Sequence, residues 1–454
     1  MTRRFFVGGM AAASLMRRRL AGAETGGSAR MQALLKRIHA PEFPNRTFDI
    51  TKYGAVADGK TDSTDAIRKA IEACAAAGGG TVLAPRGSFL TGAIHLKSRT
   101  NLHIAEGATV LFSTDPKQYP LTFTRFEGTE CMNYSPLIYA FEQNDIAVTG
   151  TGALDGQADA GNWWSWKRGT RQNPDADRRS LVAMGDKDVP VKDRVFGEGH
   201  YLRPNFFQPY RCHNVLIEGA SIKRSPMWEV NPVLCKNVTV RGVKIDSHGP
   251  NNDGCDPECC TDTLIEGCVF DTGDDCIAIK SGRNRDGRRV NAPCDGVVVR
   301  NCQMKDGHGG VSIGSEVSGG IRNVFVDNCR MDSPHLDRAL RIKTNSYRGG
   351  EIENIYFANT TVGQVAQAVV DIDFFYEEGE GGPFKPVVRN VTVENVTSQK
   401  SKYALYMRGY ASAPISGVRI ANCKFDNVAQ ADVMEHVDDV RLENDVRNGQ
   451  PMKK

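Results

Sequence analysis

Two adjacent carboxylates stand at the start of a short apolar strand in the segment DTGDDCIAIKSG, residues 271–282. Asp274 and Asp275 repel each other, whereas the Cys-Ile-Ala-Ile run that follows is typical of a buried strand. Solvated acids at a turn are one interpretation, and an acid/base site is the other. Asp253 lies 21 residues earlier. If the three carboxylates are crowded together, repulsion raises at least one pKa, so one of them can hold a proton near neutral pH.

Further polar residues follow the acids along the chain. His308 lies between two glycines, and Arg341 and Lys343 alternate around Ile342. Each has an ordinary interpretation, because a histidine between glycines can belong to a turn and alternating cations often form a solvated strand face. Whether these residues belong with the acids depends on the elements that carry them.

A short strand-like pattern recurs from residue 214 onward. It begins with a polar residue or glycine, continues with β-branched residues and ends with Gly or Asn, as in NVLIEG (214–219), NVTVRG (237–242), DTLIEG (262–267), GVVVRN (296–301), NVFVDN (323–328), NIYFAN (354–359), NVTVEN (390–395) and GVRIAN (417–422). Weaker copies occur at 101–106 and 145–150. Successive copies from residue 214 start 23 to 36 residues apart, a spacing typical of solenoids. Because the strand is constant while the connections vary, we predict an all-β, single-domain, right-handed parallel β-helix.

The polar residues fall at similar offsets from this pattern. Asp253, Asp274, His308 and Arg341 lie 16, 12, 12 and 18 residues after the start of their own copies. Four successive coils should therefore bring them to one column on one face. Stacked strands are about 4.8 Å apart. Carboxylates on neighbouring coils with a sideways offset could therefore reach the roughly 6.5 to 9.5 Å separation of inverting glycosidases.

The apolar residues around the pattern fit a solenoid interior. We expect Ile277 and Ile279 to point into the core and thereby fix the acids before them. A column of free thiols packing as small hydrophobes explains four cysteines that each lie one residue past a copy, Cys268, Cys302, Cys329 and Cys423. Full disulfide pairing is impossible with 13 cysteines, and their spacing is not that of a zinc site.

Two other segments have predictable positions in such a fold. An amphipathic helix begins at residues 62–64, has buried-type residues at helical spacing (Ile67, Ala70, Ile71 and Cys74) and ends at the glycines 78–80. It can cap the N-terminal end of the solenoid. Residues 157–205 contain no copy of the pattern but hold Trp163, Trp164 and Trp166. We interpret them as an insertion at a binding face, or alternatively as a surface excursion.

The N-terminus has the features of an export signal. Thr2 to Val7 resembles a twin-arginine motif, a weakly apolar stretch follows to Met16, and residues 21–23 resemble a cleavage site, although three arginines at 17–19 interrupt the span. A plain basic start is the alternative. We expect a protein exported to the periplasm or medium. The predicted divisions are an export signal (1–23), a linker or N-terminal extension (24–45), the β-helix (46–430) and a C-terminal tail (431–454).

Composition limits the classes of partner. The net charge of +3 gives no basis for nucleic-acid binding, and no run of 18 apolar residues predicts a membrane span after processing. The 46 glycines and the modest aromatic content suit many short strands joined by turns. We expect a monomer.

Four motifs resemble, in chain order, the signature motifs of family 28 glycoside hydrolases, the polygalacturonases. They are NNDG (251–254), GDD (273–275), GHG (307–309) and RIK (341–343). The resemblance extends from about residue 46 to 430 and includes SPMWEVNP (225–232), while Asn252 stands where Thr is common. It implies inverting hydrolysis of α-1,4-galacturonosidic bonds in pectin or polygalacturonate, an acidic polysaccharide of plant cell walls. No metal or other cofactor is implied.

The resemblance also implies roles for individual residues. Asp274 would protonate the glycosidic oxygen as the general acid, while Asp253 and Asp275 would position and deprotonate the attacking water. His308 would tune the protonation of the acid. Arg341 and Lys343 would bind a substrate carboxylate, and Asn251 would support the site. We further expect Tyr376, in DIDFFYEEG, to stack on a sugar.

Two alternatives remain open from the sequence. A pectate lyase on the same solenoid would use the acids to bind calcium for β-elimination. A non-catalytic β-helical adhesin or carbohydrate-binding protein would explain the repeats but not the acidic column. Exo action is a further expectation, because the 157–205 insertion could close one end of an otherwise open cleft.

Overall fold

The chain folds as the predicted right-handed parallel β-helix. The computed structural model describes residues 26–168 and 174–453, and the expected export signal at 1–23 lies outside these ranges. Strands are numbered β1 to β39 and helices α1 to α5 in chain order. Nearly all strands pair in parallel from coil to coil, and one continuous apolar core fills the interior.

The first sheet carries the recurring pattern and has 13 strands within the described residues. They are β1 (Thr47–Asp49), β3 (Gly80–Ala84), β6 (Thr100–Ile104), β11 (Asn144–Gly150), β15 (His213–Glu218), β17 (Lys236–Arg241), β19 (Thr261–Glu266), β22 (Cys294–Arg300), β25 (Ile321–Asp327), β28 (Glu351–Ala358), β31 (Val387–Glu394), β34 (Ile415–Ala421) and β37 (Val437–Glu443). The first and last residues of all eight main copies have a positive φ between 50° and 82°. Asn, Asp and Gly adopt this left-handed conformation most readily, which explains the polar or glycine ends of the pattern.

The second sheet follows the first around each coil. Its strands are β2 (Asp58–Asp62), β4 (Gly87–Thr91), β7 (Ala108–Phe112), β12 (Ala153–Asp155), β16 (Ser221–Lys223), β18 (Lys244–Ser247), β20 (Val269–Thr272), β23 (Gln303–Met304), β26 (Arg330–Met331), β29 (Thr361–Gln364), β32 (Thr397–Lys400), β35 (Lys424–Phe425), β38 (Val446–Arg447) and β39 (Gln450–Pro451).

The third face carries the catalytic candidates. It begins with β5 (Ile94–His95), β10 (Ile138–Phe141) and β14 (Phe207–Tyr210), continues through single bridges at residues 230, 233, 255 and 258, and ends with β21 (Ile277–Ile279), β24 (Val311–Ile313), β27 (Arg338–Lys343), β30 (Ala368–Asp373), β33 (Tyr403–Arg408) and β36 (Val433–Glu435). A separate small sheet consists of β8 (Leu121–Phe126), β9 (Thr129–Tyr134) and β13 (Val195–Phe196).

The helices lie outside the coils. They are α1 (26–35), α2 (Thr64–Ala76), α3 (Ser165–Arg168), α4 (Pro174–Asp186) and α5 (Asn284–Val290), with 3-10 turns at Ile50–Tyr53, Pro116–Gln118 and Val191–Asp193. Helix α2 is the predicted capping helix, and the four residues predicted to face inward are buried. No described helix is long and apolar enough to cross a membrane.

Two predicted boundaries differ from the structure. In the predicted linker, helix α1 and the residues after it bury Met31, Leu34 and Ile38 against the outer face of the first sheet. In the predicted tail, β37 pairs with β34 as a further coil. The segment DVRLEN (439–444) is another copy of the pattern, since Asp439 and Asn444 again have positive φ. Its many charged residues hide the apolar signal.

The prediction for the cysteines is confirmed. All 13 are free and buried, and the column formed by Cys268, Cys302, Cys329 and Cys423 belongs to the core. A thiol at these positions packs as a small apolar side chain.

Candidate active site

The third face brings the predicted polar residues together through strict strand register. Cys255 pairs with Ile277, which pairs with Val311, which in turn pairs with Leu340. Ile277 and Ile279 are fully buried in the core, as predicted. The acids therefore lie just before the third-face strands of neighbouring coils, and the side chains of β27 lie two coils beyond β21.

The three acids are closer together than the sequence suggested. One carboxylate oxygen from each of Asp253, Asp274 and Asp275 lies within 4.8 Å of the others. The expected sideways offset is absent, because Asp253 and Asp275 each precede by two residues a member of the Cys255–Ile277 bridge. The two acids are therefore stacked directly on adjacent coils.

Asp275 is held as a carboxylate by three donors. It is fully buried and accepts hydrogen bonds from Ser312 Oγ (2.7 Å), Lys343 Nζ (2.6 Å) and Arg341 Nη1 (3.3 Å). Burial alone would raise its pKa, but the charges of Lys343 and Arg341 outweigh burial and hold the pKa well below the usual value. Asp275 is thus an ionised acceptor at neutral pH.

Asp274 forms a pair with His308. The imidazole Nδ1 lies 2.9 Å from Asp274 Oδ1, and the His308 backbone N–H donates to the carbonyl of Asp274 at 3.0 Å. Burial tends to raise the pKa of Asp274, but the hydrogen bond with His308 opposes this and the net pKa is lowered. The same hydrogen bond raises the pKa of His308, whose side chain is half-exposed. One proton is therefore shared within the pair.

Asp253 is the acid whose pKa is raised. Burial is the main cause, and the nearby Asp256 and Asp274 add to it, while Lys280 opposes it. The raised pKa expected within the acid cluster thus belongs, in the free enzyme, to Asp253. Its Oδ2 lies 3.6 Å from Lys280 Nζ.

A buried lysine under the acids was missed from the sequence. Lys280 Nζ lies 3.6 Å from Asp256 and 3.4 Å from Glu316, and 4.4 Å from the ring centroid of Trp228. Asp256 is fully buried. A signal existed, because IAIK, which consists of β21 and the following Lys280, repeats the Ile-Lys ending of RIK in β27.

The remaining predicted residues also surround the acids. Tyr376 lies beside the two cations, with its ring centroid 5.5 Å from Arg341 Cζ and 5.3 Å from Lys343 Nζ. Asn251 Oδ1 accepts a hydrogen bond from Arg203 at 2.7 Å. A pocket of about 250 Å³ is lined by both Asn251 and Tyr376, together with Asp253, Asp274 and Lys343. It combines acid/base groups with cations that can bind an anionic substrate.

Sequence comparison identifies the family. The model of glycosyl hydrolases family 28 matches residues 196–443, which is more than half of the chain. The chain belongs to this family. The model of rhamnogalacturonase A/epimerase, pectate lyase-like, matches residues 47–107. The four sequence motifs all lie within the family 28 match.

Individual members of the family are similar over most of the chain. A crystal structure of a hyperthermoactive exopolygalacturonase from Thermotoga maritima is 42% identical, covers 94% of this chain and 97% of its own, and superposes with a TM-score of 0.91. A probable polygalacturonase from Vitis vinifera is 27% identical over 84% of this chain and 74% of its own. An exo-poly-alpha-D-galacturonosidase from Dickeya chrysanthemi is 27% identical over 78% of this chain and 62% of its own.

In this family 28 glycoside hydrolase the 157–205 segment forms part of the pocket. Lys167 and Arg178 are among the lining residues. Arg178 donates to Glu127 Oε2 at 2.5 Å and to Glu377 Oε1 at 3.0 Å, and Trp164 Nε1 donates to the carbonyl of Ser225 at 2.8 Å. The insertion is therefore fixed to the coils beside the acids. Because these ion-pair partners lie so far apart in the sequence, residue spacing alone could not predict the contacts.

Proposed function

We propose that this enzyme hydrolyses α-1,4-galacturonosidic bonds in polygalacturonate or pectin, starting from a chain end. The observation that carries the proposal is the buried Lys343–Asp275–Arg341 cluster beside Asp253 and Asp274. It joins an acid/base set to two cations, of which Lys343 lines the pocket. Lysine has three donors and arginine five, so both retain N–H groups for a substrate carboxylate after binding Asp275.

Asp274 is the proposed general acid, and His308 supplies its proton. In the free enzyme Asp274 is ionised and hydrogen-bonded to the imidazole. A sugar carboxylate near the cluster favours protonation of the pair, and the shared proton then moves to the glycosidic oxygen as the C–O bond breaks. The pair must enter the reaction with one proton, which places its deprotonation on the alkaline side of the pH profile.

Water attack completes the proposed reaction. Two acceptors that share one water molecule lie about 4.6 Å apart, given tetrahedral geometry and hydrogen bonds of about 2.8 Å. One carboxylate oxygen of Asp253 and one of Asp275 lie within 4.8 Å of each other, a separation that one bridging water can span. Asp275 is the ionised member and takes the proton of the water, and Asp253 orients it. Direct attack by water inverts the anomeric carbon.

Exo action is supported by the wall beside the pocket. The anchored insertion contributes Lys167 and Arg178 at one side of the acids. An open groove binds the middle of a polymer, whereas a closed one admits only its end. The names of the Thermotoga and Dickeya relatives agree with this mode.

Calcium-dependent β-elimination is less well supported by the same site. The acids that would bind calcium already have internal cations, since Lys280 lies near Asp253 and Lys343 near Asp275. A chelator should leave turnover unchanged, and no unsaturated product should absorb in the ultraviolet. We also propose, from the twin-arginine-like start, that the enzyme acts outside the cytoplasm on a polymer too large to enter the cell.

A defined galacturonate hexamer tests the proposal. We expect release from one end of the hexamer, with NMR of the first product showing the anomer opposite to the substrate linkage. Retained configuration would contradict the water-attack geometry, and a rapid fall in polymer viscosity with little end product would contradict exo action. The Asp274→Asn variant is the control for contaminating activity.

A further inference from the structure

A second cleft of about 610 Å³ lies outside the catalytic pocket and shares none of its lining residues. It is formed by the end of α4, by α5 and by the segments around Tyr347 and Phe384. Nothing in the proposed reaction uses these side chains. Their chemistry nevertheless resembles that of a sugar-binding surface.

Arg288 is the central cation of this cleft. Its guanidinium carbon lies 3.6 Å from the ring centroid of Phe384, and its Nη1 donates to the carbonyls of Tyr347 and Arg348 at 3.1 and 3.0 Å. Within residues 26–168 and 174–453, no carboxylate lies within the 4.0 Å ion-pair distance of Arg288. Burial lowers the pKa of Arg288, and the negative charge of Asp186 only partly opposes this shift. The side chain is oriented by its neighbours but lacks an anion.

The other two arginines of the cleft already form ion pairs. Arg285 pairs with Asp188, and Arg289 pairs with Glu130 and Asp286. The three arginines outnumber the two acids that line the cleft, Asp186 and Asp188. Because Arg285 and Arg289 already have ion-pair partners, Arg288 is the arginine of this cleft that can bind an external carboxylate.

Two aromatic rings accompany this cation. Tyr347 and Phe384 are 39% and 40% exposed, unusually high values for large apolar side chains in this protein. The apolar face of a pyranose packs well on an exposed aromatic ring, and a planar guanidinium binds a carboxylate through two parallel hydrogen bonds. A sugar that carries a carboxylate satisfies both features, whereas a neutral sugar or an isolated anion satisfies only one.

We propose that this cleft is an auxiliary binding site for a uronate unit of the polymer that the enzyme cleaves. The identity of the polymer rests on the proposed function. Because the cleft is separate from the pocket, its contribution adds avidity for long chains. An oligomer that only fills the catalytic pocket gains nothing from it.

Affinity electrophoresis in gels containing polygalacturonate tests binding without turnover. In the inactive Asp274→Asn background, Arg288→Ala should weaken retardation by about three- to tenfold, the range for one charge-assisted contact at a partly exposed site. Phe384→Ala should also weaken it. Arg330→Ala is the matched control, because Arg330 is 68% exposed on another face and loses the same charge. Equal retardation of the parent and both cleft variants would overturn the proposal.

A second measurement separates this site from the proposed function. In the active enzyme, Arg288→Ala should lower kcat/KM on the polymer by about three- to tenfold and leave trigalacturonate hydrolysis within error. Equal loss on both substrates would place Arg288 in the catalytic pocket and overturn the proposal. If Arg288→Ala does not fold, as judged by circular dichroism, Arg288→Lys and Phe384→Ala decide the result. If the wild type cleaves neither substrate, the proposed function fails, while the electrophoresis still decides the cleft.

Discussion

Replacement of Lys343 by Met tests the electrostatic basis of the site. The Nζ of Lys343 lies 2.6 Å from Asp275 Oδ2, and the two side chains are 7% and 0% exposed. Methionine keeps most of the apolar stem but removes the charge. Asp275 then retains Ser312 at 2.7 Å and Arg341 at 3.3 Å as donors.

The change should affect both stability and catalysis. Breaking a buried ion pair costs about 3 to 5 kcal/mol, and the remaining Arg341 favours the lower end. About 3 kcal/mol should lower the Tm by about 3 °C for a chain of this length. Loss of a nearby opposite charge should raise the pKa of Asp275 by about one to three units. The acid limb of kcat/KM should therefore move to higher pH by a similar amount.

The sign of the stability effect follows from the same shift. The folded-state pKa of Asp275 is depressed, so its contribution to stability is complete above the unfolded pKa, about 4. It is lost as pH falls through the folded pKa. The variant should therefore be destabilised most near neutral pH, and the difference from wild type should narrow in acid.

Reducing-end release between pH 3 and 7 and thermal unfolding at both extremes measure these effects. Lys424→Met is the control, because Lys424 is 59% exposed and pairs with Asp426 at the surface. An unmoved acid limb would refute Asp275 as the ionised base, and an unchanged Tm would refute the buried pair.

Three further predictions concern the general acid Asp274, its pairing with His308 and the charge of the substrate. Asp274→Asn should lower kcat by roughly a hundred- to ten-thousandfold with little change in Tm, and near-normal turnover in a folded variant would refute its role as the acid. His308→Gln should move the alkaline limb of kcat/KM to lower pH, because the hydrogen bond with Asp274 raises the pKa of His308 and activity is lost as pH rises through it; an unshifted limb would contradict the shared proton. Fully methyl-esterified pectin should be cleaved at least about tenfold more slowly than polygalacturonate, because the ester removes the charge bound by Arg341 and Lys343; equal initial rates would exclude that contact.

The sequence predicted the parts of the site that depend on strand register. Copies of one pattern fixed the coils, so offsets along the chain were enough to place Asp253, Asp274 and His308 on one face. The same reasoning failed for the distance between acids, since it assumed a sideways offset that Cys255 and Ile277 do not have.

Contacts made outside the coils were not predictable in this way. Glu127 and Arg178 are 51 residues apart in the chain, and no periodicity relates them. Helix α1 returns to the outer face of the first sheet, although its sequence alone suggested a linker. The location of the raised pKa on Asp253 depends on burial and on Asp256, which only the folded structure brings beneath it.

The site takes its groups from five consecutive coils, which contribute Asp253, the Asp274–Asp275 pair, His308, the Arg341–Lys343 pair and Tyr376 in turn. No single coil and no pair of neighbouring coils contains all the groups that the proposed reaction uses. Loop length between these groups is almost free to change, because the backbone ladder rather than the intervening chain sets their spacing. A whole extra coil, by contrast, would shift one group by about 4.8 Å. The loops can therefore change in length and reshape the walls of the pocket. The number of coils between the first and the last of these groups is fixed.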